Sequence, residues 1–266
     1  GLRRQNLIAA FPHKTAMGMA IDSGDFAANL DAAVARADTG GFEARRAAAK
    51  ARGRLRGIGI GCFLETSRGA PNEGAEVRFE RDGTVTIALG TESNGQGHET
   101  SFAQIAAQHL GLPITAFRYV QADTRQVRSG AGHGGARSMH MGGAALVKAM
   151  DAALAKARRL AAHLLQASGD DLDYDKGRFI VRGTSRGIGL SELARSAQDA
   201  ANLPEGMSPE AGKGLGEHVL NITDVFTFPS GCHVAEVEID PETGGCELLR
   251  YTAVDDYGVL VNPMIA

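Results

Sequence analysis

At residues 95–100 the sequence reads Gly95-Gln96-Gly97-His98-Glu99-Thr100. This glycine-rich loop follows a predicted strand, Thr84–Leu89, and precedes a predicted helix that Thr100 or Ser101 can cap and that Gly111 ends. Because glycine has no Cβ atom, its backbone N–H group can approach a ligand closely, and a helix N-terminus adds unpaired donors and a partial positive charge. The order of strand, glycine loop and helix therefore predicts a binding site for an anion.

A second glycine-rich loop reads Gly130-Ala131-Gly132-His133-Gly134-Gly135-Ala136-Arg137-Ser138. It follows the predicted strand Phe117–Ala122, and an Ala/Leu-rich helix is predicted after it from Gly143 to Ala167. The two loops share glycine and little else, so they do not form a sequence repeat. Together they predict the two halves of one cradle for phosphate or an oxygen-rich cofactor, while the alternative is that some of the 35 glycines simply cluster in tight turns.

The rest of the pattern predicts an α+β fold with mixed and antiparallel sheets and packed helices. Residues 1–54 are expected to form a helical lead-in, and residues 55–266 the main region, with room for two α+β subdomains. The main region holds two predicted hairpins, Ala75–Glu80 with Thr84–Leu89 and Cys232–Ile239 with Glu247–Val254. Further predicted elements are the strands Leu55–Glu65 and Lys176–Val181, the helix Ser191–Ala201 and the exposed loop Leu203–Lys213.

Composition limits the classes of partner. The chain of 266 residues has 28 Lys and Arg against 31 Asp and Glu, a net charge of −3, which argues against binding to nucleic acid or to an anionic membrane. No apolar run approaches the roughly 20 residues of a membrane-spanning helix. The three cysteines are widely spaced, which predicts neither a disulfide framework nor a zinc or iron–sulfur site. We therefore expect a cytoplasmic protein and, from the character of both ends, a piece of a longer polypeptide.

Several shorter motifs have a structural explanation as well as a functional one. Gly130-x-Gly132-x-x-Gly135 matches the dinucleotide-binding fingerprint, but no strand lies directly before it. Gly183-Thr184-Ser185-Arg186-Gly187 matches a nucleophile elbow, but no helix is predicted to start there, so a polar turn is expected. His133 and His140 have no third metal ligand at a suitable spacing, and they are expected to be solvent-exposed or hydrogen-bonded loop histidines.

Five groups of residues, taken in order, resemble the sequence of a known family. They are Gly57-Ile58-Gly59-Ile60-Gly61 through Glu65, then Asp82-Gly83-Thr84-Val85, then Gly95–Thr100, then Gly132–Ser138, and finally Val254-Asp255-Asp256 with Asn262-Pro263. In order and spacing, across nearly the whole chain, this pattern resembles the molybdenum-cofactor-binding subunit of the xanthine dehydrogenase, aldehyde oxidase and aerobic carbon monoxide dehydrogenase family.

The resemblance implies a large oxidoreductase subunit that binds a molybdopterin cofactor, in bacteria usually the cytosine dinucleotide form. Such enzymes transfer oxygen to an electron-poor carbon of a small-molecule substrate, which is a purine, an aldehyde, an N-heterocycle or carbon monoxide. The resemblance also implies that FAD and 2Fe–2S clusters lie on partner chains or domains, in agreement with the lack of cluster cysteines here.

The same resemblance assigns cofactor contacts to the two glycine loops. Gly95, Gln96 and Gly97 would lie against the pterin or its phosphates, and the Gln96 amide can both donate and accept hydrogen bonds. The second loop would form the matching wall, in which Arg137 neutralises phosphate charge and Ser138 donates a hydrogen bond to phosphate. The residues of this wall are Gly134, Gly135, Ala136, Arg137 and Ser138. His98 and Thr100, beside the first loop, are two further candidates.

The departures from the family pattern are informative as well. Its upstream phenylalanine- and glycine-rich loop and its active-site arginine loop do not occur, and its Gly-x-Gly-Glu motif with the essential glutamate base is expected after Ala266. Lys213-Gly214-Leu215-Gly216-Glu217 imitates that motif but precedes the last hairpin, so Glu217 is not assigned as the base. The chain is expected to hold part of the cofactor site, with no catalytic residue or metal ligand of its own, and to be inactive alone. The alternatives are a non-catalytic scaffold of the same fold without cofactor and an unrelated nucleotide-binding module.

Overall fold

The computed structural model describes residues 1–207 and 214–265. The helices are α1 (Leu2–Gln5), α2 (Phe26–Arg36), α3 (Phe42–Ala51), α4 (His98–Leu110), α5 (Ala144–Leu165) and α6 (Leu190–Ser196). The strands are β1 (His13–Lys14), β2 (Ala20–Ile21), β3 (Leu55–Leu64), β4 (Asn72–Phe79), β5 (Val85–Leu89), β6 (Phe117–Val120), β7 (Leu172–Asp175), β8 (Arg178–Val181), β9 (Gly187–Gly189), β10 (Glu217–Ile222), β11 (Ser230–Ile239) and β12 (Cys246–Asp256). None of these helices has both the length and the apolar character needed to cross a bilayer.

The first of two compact units consists of Gly1–Ser67 and Phe226–Val259. Its centre is a three-stranded antiparallel sheet in the order β12-β11-β3, and helix α2 packs against it. The side chain of Asp25 caps α2 by accepting a hydrogen bond from the Ala28 N–H at 3.0 Å. Helices α1 to α3 of the lead-in therefore belong to the same unit as the final hairpin, β11 and β12. The sequence instead indicates a boundary after residue 54, between the lead-in and the rest of the chain.

A buried carboxylate on β11 ties this sheet to α3. Glu236 is 2 % exposed and accepts hydrogen bonds from the guanidinium groups of Arg45 and Arg56. These contacts, that of Arg45 foremost, hold the pKa of Glu236 below its usual value in spite of its burial. The ion pairs therefore stabilise the fold above the pKa of an unfolded-chain glutamate, and this stabilisation is lost as the pH falls through the lower folded-state pKa.

Replacing this carboxylate gives a pH-dependent loss of stability. At pH 7 we expect Glu236→Gln to lower Tm by roughly 3–6 °C, since the guanidinium groups of two arginines lose their anionic acceptor. The difference from the wild type should shrink in acid, where the wild-type carboxylate is itself protonated. Thermal unfolding of the full-length protein at a series of pH values measures this, with Glu242→Gln, at an exposed turn position, as the matched control. An equal shift at every pH would contradict the assignment.

The second unit consists of Arg68–Val225 and Leu260–Ala266. Its main sheet has the order β10-β4-β5-β6, in which β5 and β6 are parallel and the other pairs are antiparallel. Helix α4 connects the two parallel strands, and the long helix α5 packs on the sheet through a face of small and apolar residues. The fully buried members of that face include Leu146, Ala149, Met150, Ala157 and Leu160. The α+β prediction is confirmed by this architecture.

Two local predictions differ from the structure in ways that matter for the site. Helix α4 begins at His98 and not after Thr100 or Ser101, because Gly97 adopts a left-handed φ of +76° and ends the loop without a side-chain cap. A π-helical turn, Ser138–Gly143, precedes α5, so the second glycine loop passes directly into a helix at Ser138. Both loops therefore lie closer to helix starts than the sequence indicates.

Other predicted elements can be compared directly with the structure. Ser185 lies in the turn between the antiparallel strands β8 and β9, which confirms the polar turn and removes the nucleophile elbow. Strands β1, β2, β7, β9 and β10 were not predicted, and the helix predicted over Ser191–Ala201 ends at Ser196. Residues 208–213 of the predicted exposed loop, including Lys213 of the imitated Gly-x-Gly-Glu motif, lie outside the described residues.

Candidate functional site

The first glycine loop connects β5 to α4 and is organised by its own polar side chains. The Gln96 Oε1 accepts hydrogen bonds from the Asn94 N–H at 2.6 Å and from the Ser93 hydroxyl at 3.2 Å. Asn94, Gly95 and Gln96 are exposed at the outermost part of the loop. The carbonyl oxygen of Gln96 thus shapes the loop, and its amide nitrogen is the half of the side chain that a ligand would meet.

The second loop approaches the end of β5 through glycines. A Cβ atom added to Gly130 would overlap the Gly90 backbone, and one added to Gly90 would overlap the Gly130 backbone. Farther along, Gly135 has a φ of +87° and lies against Gly69, whose Cα would be 2.8 Å from an added Cβ. Glycine at these positions is therefore required by the close contact of two backbone segments.

Three side-chain hydrogen bonds join the two loops. The His133 Nδ1 lies 3.1 Å from the Glu92 Oε1, and its Nε2 lies 3.3 Å from the Asn94 Nδ2. The Thr91 hydroxyl lies 2.7 Å from the Ser138 hydroxyl at the start of the π-helical turn. The structure thus brings the two predicted loops side by side, as one cradle requires, and it uses His133 as a connector between them.

Beneath the second loop lies a buried ion pair that sequence reasoning missed. Arg137 and Glu73 are both 0 % exposed and form a direct salt bridge. The Arg137 Nε donates to the Arg68 carbonyl at 3.1 Å. Its Nη1 donates to the Gly132 carbonyl at 2.8 Å, and its Nη2 donates to the carbonyls of Ala70 and Asn72. All three guanidinium nitrogens are thus engaged within the protein.

These buried contacts change the role that we assign to Arg137. From the family resemblance, its guanidinium is expected to neutralise phosphate charge, but the structure places the group under the loop, where it fixes the loop's path. Burial raises the pKa of Glu73, while the Gly74 N–H and the Arg137 cation act in the opposite direction. Next to Arg137 in sequence, Gly134, Gly135 and Ala136 are exposed at the surface of the loop, as are Gly130 and Ala131 at its start.

His98, the first residue of α4, carries an unpartnered polar atom. It is 3 % exposed, its ring lies 5.3 Å from that of Phe102, and its Nδ1 has no hydrogen-bond partner. Burial, foremost, and the neighbouring His133 lower the pKa of His98, which keeps the imidazole neutral at pH 7. A buried ring nitrogen without a partner next to a glycine loop fits a bound polar group better than an empty surface. Thr100 lies in the same first turn and is exposed.

The remaining candidate residues have partners of other kinds. The His140 Nε2 donates a hydrogen bond to the Val225 carbonyl oxygen at 3.1 Å. Glu217 pairs with the Lys156 ammonium at 2.7 Å, and Asp255 lies 2.8 Å from the His233 Nε2. Over residues 1–207 and 214–265 there is no group of three or more His, Cys, Asp or Glu side chains placed to hold a metal ion.

Comparison with known proteins identifies relatives for almost the whole chain. Residues 32–266 match the family described as "Molybdopterin cofactor-binding domain". The chain is 33 % identical to the carbon monoxide dehydrogenase large chain of Hydrogenophaga pseudoflava over 99 % of this chain and 34 % of that protein. It is 32 % identical to the 6-hydroxypseudooxynicotine dehydrogenase complex subunit gamma of Paenarthrobacter nicotinovorans, over 98 % of this chain and 33 % of that protein.

Solved structures agree with these relatives. The crystal structure of the Cu,Mo-CO dehydrogenase in its carbon monoxide reduced state superposes with a TM-score of 0.85 at 32 % identity, covering 99 % of this chain and 35 % of that one. Quinoline 2-oxidoreductase from Pseudomonas putida 86 superposes with a TM-score of 0.86 at 28 % identity and the same coverage, 99 % and 35 %. The chain thus spans about a third of the length of the curated relatives it matches.

Proposed function

The chain belongs to the molybdopterin cofactor-binding domain family, and we propose that it forms part of the cofactor site in the large subunit of a molybdenum hydroxylase. The observation that carries the proposal is the pair of exposed glycine loops, joined through His133 and Ser138 above the buried Arg137–Glu73 ion pair. Exposed glycine backbone beside the start of a helix is suited to phosphate and to the many oxygen and nitrogen atoms of a pterin.

The residues divide into those that touch the cofactor and those that shape the loops. We assign contact to Gly95, Gly97 and the Gln96 amide nitrogen on one side, and to the exposed backbone of 134–136 on the other. The unpartnered Nδ1 of His98 is assigned a hydrogen bond to a polar cofactor atom, and the hydroxyls of Ser138 and Thr100 are further donors. Arg137 acts from below by holding the second loop in place, and its charge is balanced by Glu73.

The bound cofactor, for which we propose the cytosine dinucleotide form, would supply the molybdenum centre at which oxygen is transferred to an electron-poor carbon. Two relatives are named as a large chain and as a complex subunit gamma, which supports an assembly in which FAD and 2Fe–2S clusters lie on partner chains. We place this assembly in the cytoplasm and assign the catalytic glutamate to sequence outside this chain. Glu217 forms an ion pair with Lys156 and is not assigned the role of catalytic glutamate.

The proposal is tested by placing a charge on the exposed part of the second loop. Gly134 is exposed, and an added Cβ atom there would meet no heavy atom within 4 Å. We expect Gly134→Asp to fold normally but to lower molybdenum and acid-released CMP per chain by about tenfold or more, because a carboxylate repels phosphate across a short distance. Both quantities are measured on the full-length protein co-expressed with its partner subunits.

Two controls separate charge from structure. Gly134→Asn has the same shape without the charge and should keep most of the molybdenum. Gly40→Asp introduces the same charge at an exposed position in the other unit, where an added Cβ also meets no heavy atom within 4 Å, and should keep all of it. A well-folded wild type with neither molybdenum nor CMP would refute the cofactor assignment in favour of a scaffold. Stabilisation by ATP or a nicotinamide nucleotide alone would favour a nucleotide-binding module.

A further inference from the structure

Two cysteines face each other in the sheet of the first unit, away from any residue used in the proposed function. Cys62 on β3 pairs directly with Cys232 on β11 in the antiparallel register, and the two Sγ atoms lie 3.5 Å apart. Directly paired residues of antiparallel strands have Cα atoms about 4.5–5.5 Å apart, inside the range of about 4.4–6.8 Å that a disulfide spans. A bond between the sulfurs therefore requires side-chain rotation and little movement of the backbone.

The two thiols differ in their surroundings. Cys62 is exposed, whereas Cys232 is 0 % exposed and packs in the apolar cluster beneath helix α2 with Leu30 and Ala33. Burial, foremost, and the contact with Cys62 raise the pKa of the Cys232 thiol to about 11, so it stays protonated at neutral pH. A dissolved oxidant therefore reacts first with Cys62, and the buried Cys232 is protected from direct oxidation.

A cation lies next to the pair. The Arg3 guanidinium donates a hydrogen bond to the Ile60 carbonyl at 2.7 Å, two residues from Cys62 on the same strand, and its charge also acts on Cys232. The thiolate is the form of a cysteine that reacts with peroxides, and Cys62 is the thiol of the pair that is exposed to them. The third cysteine, Cys246, is exposed and pairs in register with Ile239 at the far end of the β11–β12 hairpin, so it is not placed to compete.

We propose that Cys62 and Cys232 form a peroxide-oxidisable dithiol that closes to a disulfide between β3 and β11. The Cys62 thiolate attacks hydrogen peroxide, the O–O bond breaks, and a sulfenic acid forms on Cys62 as hydroxide leaves. The Cys232 sulfur then attacks the Cys62 sulfur, the S–O bond breaks, and the Cys232 proton leaves with the oxygen as water. Two thiols lose two electrons, and one peroxide becomes two waters. The disulfide would fasten β3, an edge strand of its sheet, and protect Cys62 from irreversible oxidation.

The experiment treats the folded full-length protein, with its partner subunits, with hydrogen peroxide, then blocks free thiols with N-ethylmaleimide and digests without reduction. Trypsin with a glutamate-specific protease separates the three cysteines. The expected product, in the majority of chains, is the peptide 57–65 joined to the peptide 218–236 and two hydrogen atoms lighter than the two thiol peptides together. It should disappear on reduction with dithiothreitol.

Variants at the three cysteines decide between pairing and general oxidation. Cys62→Ser and Cys232→Ala should each abolish the linked peptide, and in Cys232→Ala the lone Cys62 should proceed to sulfinic and sulfonic acid. Cys246→Ser, at the position that faces Ile239 and no cysteine, should leave the linked peptide unchanged. The proposal is overturned if wild-type Cys62 and Cys232 are both still alkylated after peroxide, or if Cys62 carries sulfonic acid while Cys232 remains a free thiol. Neither result depends on molybdenum content, so this test is independent of the cofactor assignment.

Discussion

Arg137→Met is expected to destabilise the protein by about 3–5 kcal/mol, because it removes one partner of a buried ion pair and leaves the Glu73 carboxylate without a countercharge. It also leaves the carbonyl oxygens of Arg68, Gly132, Ala70 and Asn72 without the guanidinium donors that they now share. The second glycine loop, whose path depends on these bonds, should lose its shape, and molybdenum per chain should fall with stability. Denaturant unfolding and metal analysis of the full-length protein measure the two effects.

The double variant Arg137→Met/Glu73→Leu distinguishes an unpaired charge from a general packing defect. Replacing both members of a buried pair by apolar residues is often close to neutral, so the double variant should recover much of the lost stability. It should not recover molybdenum, since the donors to the loop carbonyls are still missing. Arg125→Met, which removes an arginine whose side chain is 89 % exposed, is the matched control and should change stability by less than about 0.5 kcal/mol. Equal losses in Arg125→Met and Arg137→Met would contradict the role of the pair.

Gly130→Ala is expected to destabilise the protein by about 3 kcal/mol or more, although it adds only one methyl group. The new Cβ atom would overlap the Gly90 backbone, and backbone cannot move aside as a flexible side chain can. Because Gly90 directly follows β5, relief of the overlap must shift either the strand end or the loop. The hydrogen bonds that join Thr91 to Ser138 and Glu92 to His133 should then weaken. We therefore expect a lower Tm and incomplete loading with molybdenum.

Gly134→Ala is the matched control for this prediction. It lies four residues along the same loop, and its added Cβ atom meets no heavy atom within 4 Å. Its Tm should stay close to that of the wild type. Should Gly130→Ala and Gly134→Ala unfold at the same temperature, the close contact between the two backbone segments would be refuted as a structural requirement.

Local signals in the sequence were sufficient to predict the two loops and most of the elements around them. Glycine clusters, turn residues and apolar spacing act over a few residues, and these patterns led to β5, α4, β6 and α5 in the right order. The start of α4 was wrong because Ser and Thr are the usual N-caps, whereas here the left-handed Gly97 allows the helix to begin earlier. Strand β10 was missed because its pairing with β4 is a long-range interaction that its own short sequence does not reveal.

The support under the site could not be predicted, because its members are distant in sequence. Glu73 and Arg137 are 64 positions apart, and nothing in either neighbourhood indicates the other. An arginine within a glycine loop is ordinarily interpreted as a ligand-binding cation, since charged residues are seldom fully buried. Only the folded chain shows that this arginine points inward and that its partner is Glu73 on the buried strand β4.

The buried Arg137 guanidinium also determines when the second loop becomes ordered. Glycine-rich segments have more conformational freedom in the unfolded chain than any others, and a ligand that had to immobilise such a loop would bind more weakly for that reason. Here Glu73 and four backbone carbonyls immobilise it as soon as the polypeptide folds. The cradle is preorganised, so the conformational entropy of the loop is lost during folding and not when the cofactor binds. Access of the cofactor to the loops, and not the ordering of the loop, then limits its insertion.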